Sequence, residues 1–285
     1  MTGHIADRHR SHGRDARDTA MRPGGSGVSR ASRPCGRFDS RETSPMRTCT
    51  LLITLVVAAL IVCPASAADR SSGSDWPMWR GPAGDGRSPE ANVPTKWSGT
   101  ENVAWKTKIP GKGHSSPIVS GDWVFVTTAL EEANERALLC LDRVSGKVLW
   151  QKTVVKSGLE RKHQLNSYAS ATPATDGKLV YVSFFEQPKI QLVAYDFAGN
   201  EAWRASPGTF QSVHGFCSSP VLYKDLVILN GDQDSTAYLV AYDKATGKER
   251  WRTDRPNKTR SYCTPIVAEL AGKTQMVLSG SNSVA

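Results

Sequence analysis

The stretch LVAYDKATGKERW at 239–251 has two earlier counterparts, LLCLDRVSGKVLW at 138–150 and LVAYDFAGNEAW at 192–203, and this recurrence restricts the fold more than any other property of the chain. In each copy an apolar run meets an aspartate, a glycine follows, and a tryptophan stands four residues beyond the glycine. The three sets are Asp142, Gly146 and Trp150; Asp196, Gly199 and Trp203; and Asp243, Gly247 and Trp251. A fixed period of this kind marks stacked units, none of which can bury its apolar faces alone.

The motif is the second half of a longer unit. Each unit opens near a Ser/Thr-Pro pair, in SSPIVSGDWVFVTT from Ser115, ATPATDGKLVYVSF from Ala171, SSPVLYKDLVILNG from Ser218 and CTPIVAELAGKTQMVLSG from Cys263. The prolines at 117, 173, 220 and 265 are 56, 47 and 45 residues apart. The extra residues of the first unit are expected in loops at 128–137 and 155–170, where charge and glycine replace strand character. Within a unit, a short strand after the proline, a turn such as Ser120-Gly121-Asp122 and a β-rich run such as WVFVTT form one hairpin. Two strands follow. In LVAYD, Leu239 and Ala241 oppose Val240 and Tyr242, so both faces are apolar, which suits a strand covered on both sides. The aspartate accepts backbone hydrogen bonds at the turn, the glycine supplies a positive φ, and the tryptophan is placed to dock on the next unit.

Four strands per unit and a period near 47 residues predict an all-β chain, a β-propeller of four-stranded blades of which about three to four are present as an open arc over 101–285. A parallel β-helix has much shorter repeats, and a β-sandwich lacks a repeated signature. The chain stops where a further strand and the next Asp-Gly hairpin are due, so it reads as a fragment with exposed strand edges. ENVAWKTKI at 101–109 carries a tryptophan without preceding strands, as a strand closing the last blade of a ring would.

The net charge of +9 suggests nucleic acid until it is located. Residues 1–45 carry nine Arg and five Asp or Glu, and Arg47 follows, so only +4 remains from Ala68 onward. Basic residues there are scattered among acidic ones, including those of RTDRPNKTR at 252–260, and no basic stripe of the kind nucleic acid requires is present. Residues 1–45 read as a disordered or mis-started leader. Residues 46–67, with a start Met, an apolar run from Leu51 to Val62 and Ala65-Ser66-Ala67, read as a signal peptide too short to span a membrane. The expected location is the periplasm or cell envelope, with no transmembrane segment after cleavage. Residues 68–100 form a lead-in segment. Three of six cysteines lie before Ala68; Cys140, Cys217 and Cys263 read as small buried apolar residues, with a Cys217–Cys263 bridge as the alternative.

The pattern A-x-D-x-x-T-G-K-x-x-W resembles the tryptophan-docking repeat of the PQQ-like β-propeller family, which includes quinoprotein alcohol dehydrogenases and an outer-membrane assembly propeller. The resemblance covers roughly residues 75–285, and DWPMWRGPAGDGRSPEANVPTKWS resembles the lead-in of exported bacterial members. YDFAGNEAW departs from it by one turn residue, with Asn200 where the other copies have Lys.

Two functions follow from the resemblance. As a quinoprotein dehydrogenase the chain implies PQQ over the central channel, Ca²⁺ held by acidic and amide side chains, a catalytic Asp and, in many members, a disulfide between adjacent cysteines. No adjacent cysteine pair occurs, and Asp232-Gln233-Asp234 lacks the rest of a Ca²⁺ loop, so on this reading the cofactor and metal residues are expected mostly in the missing blades. As a non-catalytic scaffold the chain implies a protein partner on one propeller face, with no cofactor and no metal; this reading is preferred. His114 and His214, just before Pro-led strands, with Tyr168 and Tyr262 in corresponding stretches, are candidates for a channel-mouth ligand site. The blander reading makes them loop residues bonded to local backbone, as His163 is expected to be solvated.

Overall fold

A computed structural model describes residues 75–256, 260–280 and 283–285. The chain divides into Met1–Cys63 and Pro64–Ala285, and every described residue belongs to the second unit. The leader and signal-peptide expectations lie outside the described residues. Among those residues no helix is long and apolar enough to cross a membrane.

The first blade is an antiparallel meander of β1 (Ile118–Ser120), β2 (Trp123–Leu130), β3 (Glu135–Asp142) and β4 (Val148–Lys156). The second repeats it with β5 (Ala174–Thr175), β6 (Leu179–Glu186), β7 (Lys189–Asp196) and β8 (Glu201–Thr209). The third has β9 (Val221–Tyr223), β10 (Leu226–Gly231), β11 (Ala237–Asp243) and β12 (Glu249–Arg255), and β13 (Ile266–Leu270) pairs with β14 (Lys273–Val277) to begin a fourth. Each blade's first strand starts directly after its proline, the one residue that would withhold a ladder donor. The innermost strands β1, β5 and β9 are neighbours in succession.

The core lies between blades because the third strands are apolar on both faces. From β7, Ile190, Leu192 and Ala194 enter one cluster with Val227, Leu229 and Val240 of the next blade. Val193 and Tyr195 of the same strand enter another, with Phe125, Leu138 and Cys140 of the preceding blade. β11 divides likewise, Tyr238, Val240 and Tyr242 on one side and Leu239 and Ala241 on the other.

The repeated tryptophans join one blade to the next. Trp150 Nε1 donates to Phe197 O at 2.9 Å and Trp203 Nε1 to Lys244 O at 2.8 Å, each acceptor being the residue after a motif aspartate. Trp105 makes the same bond to Arg143 O at 2.8 Å. The ring covers the motif glycine: a Cβ at Gly247 would lie 2.6 Å from the Trp203 ring, and φ there is +68°. Glycine is therefore needed twice over, for its backbone and for its missing side chain.

Two expectations are corrected. Residues 101–109 form no strand, although Trp105 docks as a closing strand's tryptophan would. The extra residues at 128–137 are absorbed by lengthening β2 and β3, leaving only a turn with a 3₁₀ segment at Glu131–Ala133. Residues 155–170 do contain a loop, but β4 runs on to Lys156.

The shorter second turn keeps the same logic. Asn200 donates from N and Nδ2 to Asp196 at 2.8 and 2.9 Å, where Ser145 and Thr246 donate to Asp142 and Asp243. Side-chain hydrogen bonds from Ser145, Asn200 and Thr246, reinforced by backbone N–H groups, hold the three carboxyls below their ordinary 3.8. A depressed folded value means that their stabilisation is complete above about pH 4 and is lost as pH falls through the lowered values. The melting temperature is therefore expected to drop on acidification in that window, and less steeply in Asp243→Asn than in the parent protein.

A second clip between blades recurs beside the tryptophans. Arg204 pairs with Glu201 at 2.6 Å and donates to Val154 O of the preceding blade at 3.1 Å, while Tyr195 OH reaches Glu201 at 3.4 Å. Arg252, Glu249, Pro207 O and Tyr242 repeat this arrangement.

Candidate functional site

Strand direction sorts the connections onto two ends of each blade. The Asp-Gly turns lie at one end; the loops leading into the innermost strands lie at the other, together with the β2–β3, β6–β7 and β10–β11 turns. All four candidate residues sit in the loops of this second end, and the fold brings two of them together.

Tyr262 OH lies 2.8 Å from His214 Nδ1 and 2.8 Å from Ser212 Oγ, and the two rings meet edge to face at 5.6 Å. His163 adds a third ring, 5.6 Å from His214, and Asn166 Nδ2 donates to His214 O at 2.7 Å. These groups, with Leu165 and Cys217, line an open concavity of about 350 Å³. Val213, next in sequence to His214, is also exposed.

His114 and Tyr168 stand apart from that group. The His114 side chain is exposed, and its backbone N–H donates to Ala169 O at 3.0 Å and Ser167 Oγ at 3.1 Å, the local role that a loop residue takes. Tyr168 is half-buried with its face toward Lys162 Nζ at 4.9 Å and the Arg136 guanidinium at 5.7 Å. Burial, with Glu160 nearby, pushes its phenol upward.

A cavity of about 400 Å³ shares Cys217 and Tyr262 with the concavity and is lined also by Cys263, Ser219 and by Trp79 and Arg80 of the lead-in. The expected alternative bridge is not formed: Cys217 and Cys263 are free thiols, as is Cys140. Cys217 Sγ–H points to Tyr262 O at 3.6 Å, Ser261 Oγ–H to Cys263 Sγ at 3.1 Å, and burial pushes the Cys217 thiol up to about 11.

The lead-in lies along the innermost strands. Asp75 accepts from Gly121 N at 2.9 Å, Trp76 pairs with Val119 through two 2.9 Å backbone bonds, and Pro77 O accepts from Thr175 N at 2.8 Å. Met78, Trp79, Pro82 and Ala83 continue toward β9 and β13, with which they line a cavity of about 470 Å³. Nothing in the lead-in's sequence announced this pairing, since its only pattern is one of tryptophans, glycines and prolines.

Sequence reasoning also missed the most buried charge pair. Arg136, fully buried, holds Glu160, 5% exposed, and donates to Ser157 O at 2.8 Å and Gly158 O at 3.3 Å. Burial raises the Glu160 carboxyl above its ordinary 4.5 even against the pull of Arg136. The Asp232-Gln233-Asp234 stretch is a polar connection: Asp232 pairs with Arg255 at 3.1 Å, Asp234 accepts from Arg260 Nε at 2.8 Å, and buried Gln233 ties down neighbouring backbone. Arg252 and Arg255, of the run at 252–260, lie in β12 and are paired. Among the described residues no three His, Cys, Asp or Glu side chains are grouped so as to hold a metal ion.

The family model described as outer membrane protein assembly factor BamB matches residues 95–162 and 135–285. Among solved structures, a europium-containing methanol dehydrogenase is 20% identical over 63% of this chain and 32% of its own, with a TM-score of 0.46. A quinohemoprotein alcohol dehydrogenase from Comamonas testosteroni is 18% identical over 63% of this chain and 27% of its own, at 0.44. BamB from Moraxella catarrhalis is 19% identical over 53% of this chain and 51% of its own, at 0.29. The chain thus spans about a third of the length of the first dehydrogenase. No curated protein sequence matches it.

Proposed function

Since the chain belongs to the PQQ-like β-propeller family that the assembly-factor model describes, we propose that it is a non-catalytic scaffold of the cell envelope, binding a protein partner at the loop-bearing end of its blades. One observation carries this reading over a dehydrogenase. Glu160 and Asp232, the buried carboxylates of that end, are both held by arginines, Arg136 and Arg255. A carboxylate committed to a guanidinium in a buried site is a poor calcium ligand, because the metal must break a charge-assisted bond and leave a buried cation unpaired. Glu160 and Asp232 are therefore a poor fit for the calcium ion of a quinoprotein. What the loop-bearing end offers instead is surface: exposed Leu165 and Val213 beside the His163, His214 and Tyr262 rings, an apolar and aromatic mixture of the kind that anchors protein interfaces.

Thermal unfolding of the full chain, titrated with PQQ and Ca²⁺, tests the choice. No shift in midpoint is expected; a saturable rise would overturn the scaffold reading in favour of the quinoprotein one. A photo-crosslinking residue at Leu165 is expected to capture a defined partner in intact envelopes. The same group at Val144, exposed on the opposite end, is expected to capture none. Equal capture at both positions would remove the assignment of the binding face.

A further inference from the structure

The loop-bearing end holds a second cleft, distinct from the His214–Tyr262 concavity. It has a volume of about 280 Å³ and is formed where the loop after β4, the β6–β7 turn and the segment after β8 converge. Phe185 and Phe210 give it an apolar wall, their rings edge to face at 5.6 Å. Glu160 lines it from the opposite loop, itself almost fully buried. Around these stand Arg161, Gln187 and Gln211, all exposed, whose side chains make no intramolecular hydrogen bond among the described residues.

The cleft's frame is fixed. Gln233, fully buried, donates from Nε2 to Thr209 O at 2.8 Å and Thr236 O at 2.7 Å, and its Oε1 accepts from Gln211 N at 2.6 Å. The backbone that carries Phe210 and Gln211 is thereby tied to the β10–β11 turn. Buried Arg136 holds the Glu160 carboxylate and the loop backbone at Ser157 and Gly158. An apolar wall with a few convergent polar groups on a fixed frame is the general form of a small-ligand site.

The polar groups select the ligand's chemistry. Two glutamine amides each present a donor and an acceptor, Arg161 only donates, and a carboxylate only accepts. A hydroxyl group can answer any of these, since it both donates and accepts. Arg136 cancels the charge of Glu160, which leaves the exposed Arg161 as the one unpaired charge of the lining, a weak demand for an ion at a solvated rim. Phe185 and Phe210, each 5% exposed, offer a small apolar floor for C–H groups. These features together describe a ring that is apolar on one side and hydroxylated at its edge. We propose that this cleft binds the pyranose ring of a sugar, free or at the end of a glycan, a function separate from partner docking at His214 and Tyr262.

The test uses the full chain in isothermal titration against methyl α-glucoside, methyl α-galactoside and N-acetylglucosamine, with citrate as a charged control. At least one sugar is expected to bind saturably in the millimolar range. Gln187→Ala and Gln211→Ala, both on the exposed rim and outside the core, are each expected to weaken that binding about 3- to 10-fold, the loss of a neutral hydrogen bond. The proposal is overturned if none of the three sugars binds, if citrate alone binds, or if neither substitution changes the affinity. Its failure would leave the scaffold reading intact, because that reading is tested by the quinone titration and by crosslinking at Leu165.

Discussion

Gly247→Ala is expected to lower the unfolding free energy by about 2–5 kcal/mol, seen as a fall in the urea midpoint of the full chain. Two costs add. A Cβ at φ +68° carries the left-handed backbone penalty of about 1–2 kcal/mol, and the methyl group would sit 2.6 Å from the Trp203 ring, forcing the indole from its seat. Gly177 supplies the internal control. It has φ +84° with open space where a Cβ would go, so Gly177→Ala should show the backbone penalty alone, about 1–2 kcal/mol. Equal losses in the two variants would mean that the tryptophan does not rest on the glycine.

Arg136→Ala is expected to cost about 3–5 kcal/mol, because it strands the Glu160 carboxylate in a buried site and removes the donors that hold Ser157 and Gly158. The double substitution Arg136→Met with Glu160→Met removes both charges and should cost less than Arg136→Ala alone. Urea unfolding of the single and double variants distinguishes a buried pair from a loop contact. A double variant as unstable as the single would show that the backbone bonds to Arg136, rather than the stranded charge, carry the loss. The sign of the pH dependence offers a further check. A carboxyl raised by folding binds its proton more tightly in the folded state. Its contribution is fullest below the unfolded value near 4.5 and declines as pH rises through the raised one, opposite to the turn aspartates.

The blades were legible in the sequence because the features that define them are local. Asp243, Gly247 and Trp251 lie within nine residues, and each has a fixed task that only its residue type performs well. The two-faced third strands were legible for the same reason, since Leu239 to Tyr242 show no polar face at all. The candidate site was only half legible. Position before a Pro-led strand placed His114, Tyr168, His214 and Tyr262 at one end, but side-chain direction within a loop decides which of them meet. Tyr262 turned toward His214, whereas Tyr168 turned toward Lys162 and Arg136.

Charge in a loop was the least legible feature. Glu160 belongs to LERKH, a run whose composition suits water, and its partner lies 24 residues earlier within a strand. Arg136 offered one clue, an arginine that leads directly into the apolar run from Ala137 to Leu141. The Glu-x-Trp-Arg clips at 201–204 and 249–252 were visible as a repeated spacing, absent from the first unit, where Val148 and Gln151 take those places. The lead-in is a different case: it pairs through its backbone with β1, and backbone pairing leaves no mark on residue identity.

The indole bonds between blades all point the same way along the chain. Trp105, Trp150 and Trp203 each find their carbonyl later in the sequence, 38, 47 and 41 residues on. During synthesis every such tryptophan therefore emerges before its acceptor exists. At the usual pace of translation the wait is roughly two to nine seconds. For that interval the newest blade presents an unseated indole and an uncovered apolar face, which is what a holding chaperone recognises. Each new Asp-Gly turn then ends the wait of the blade before it, so the blades seat in order from the N-terminal side wherever the chain emerges N-terminus first.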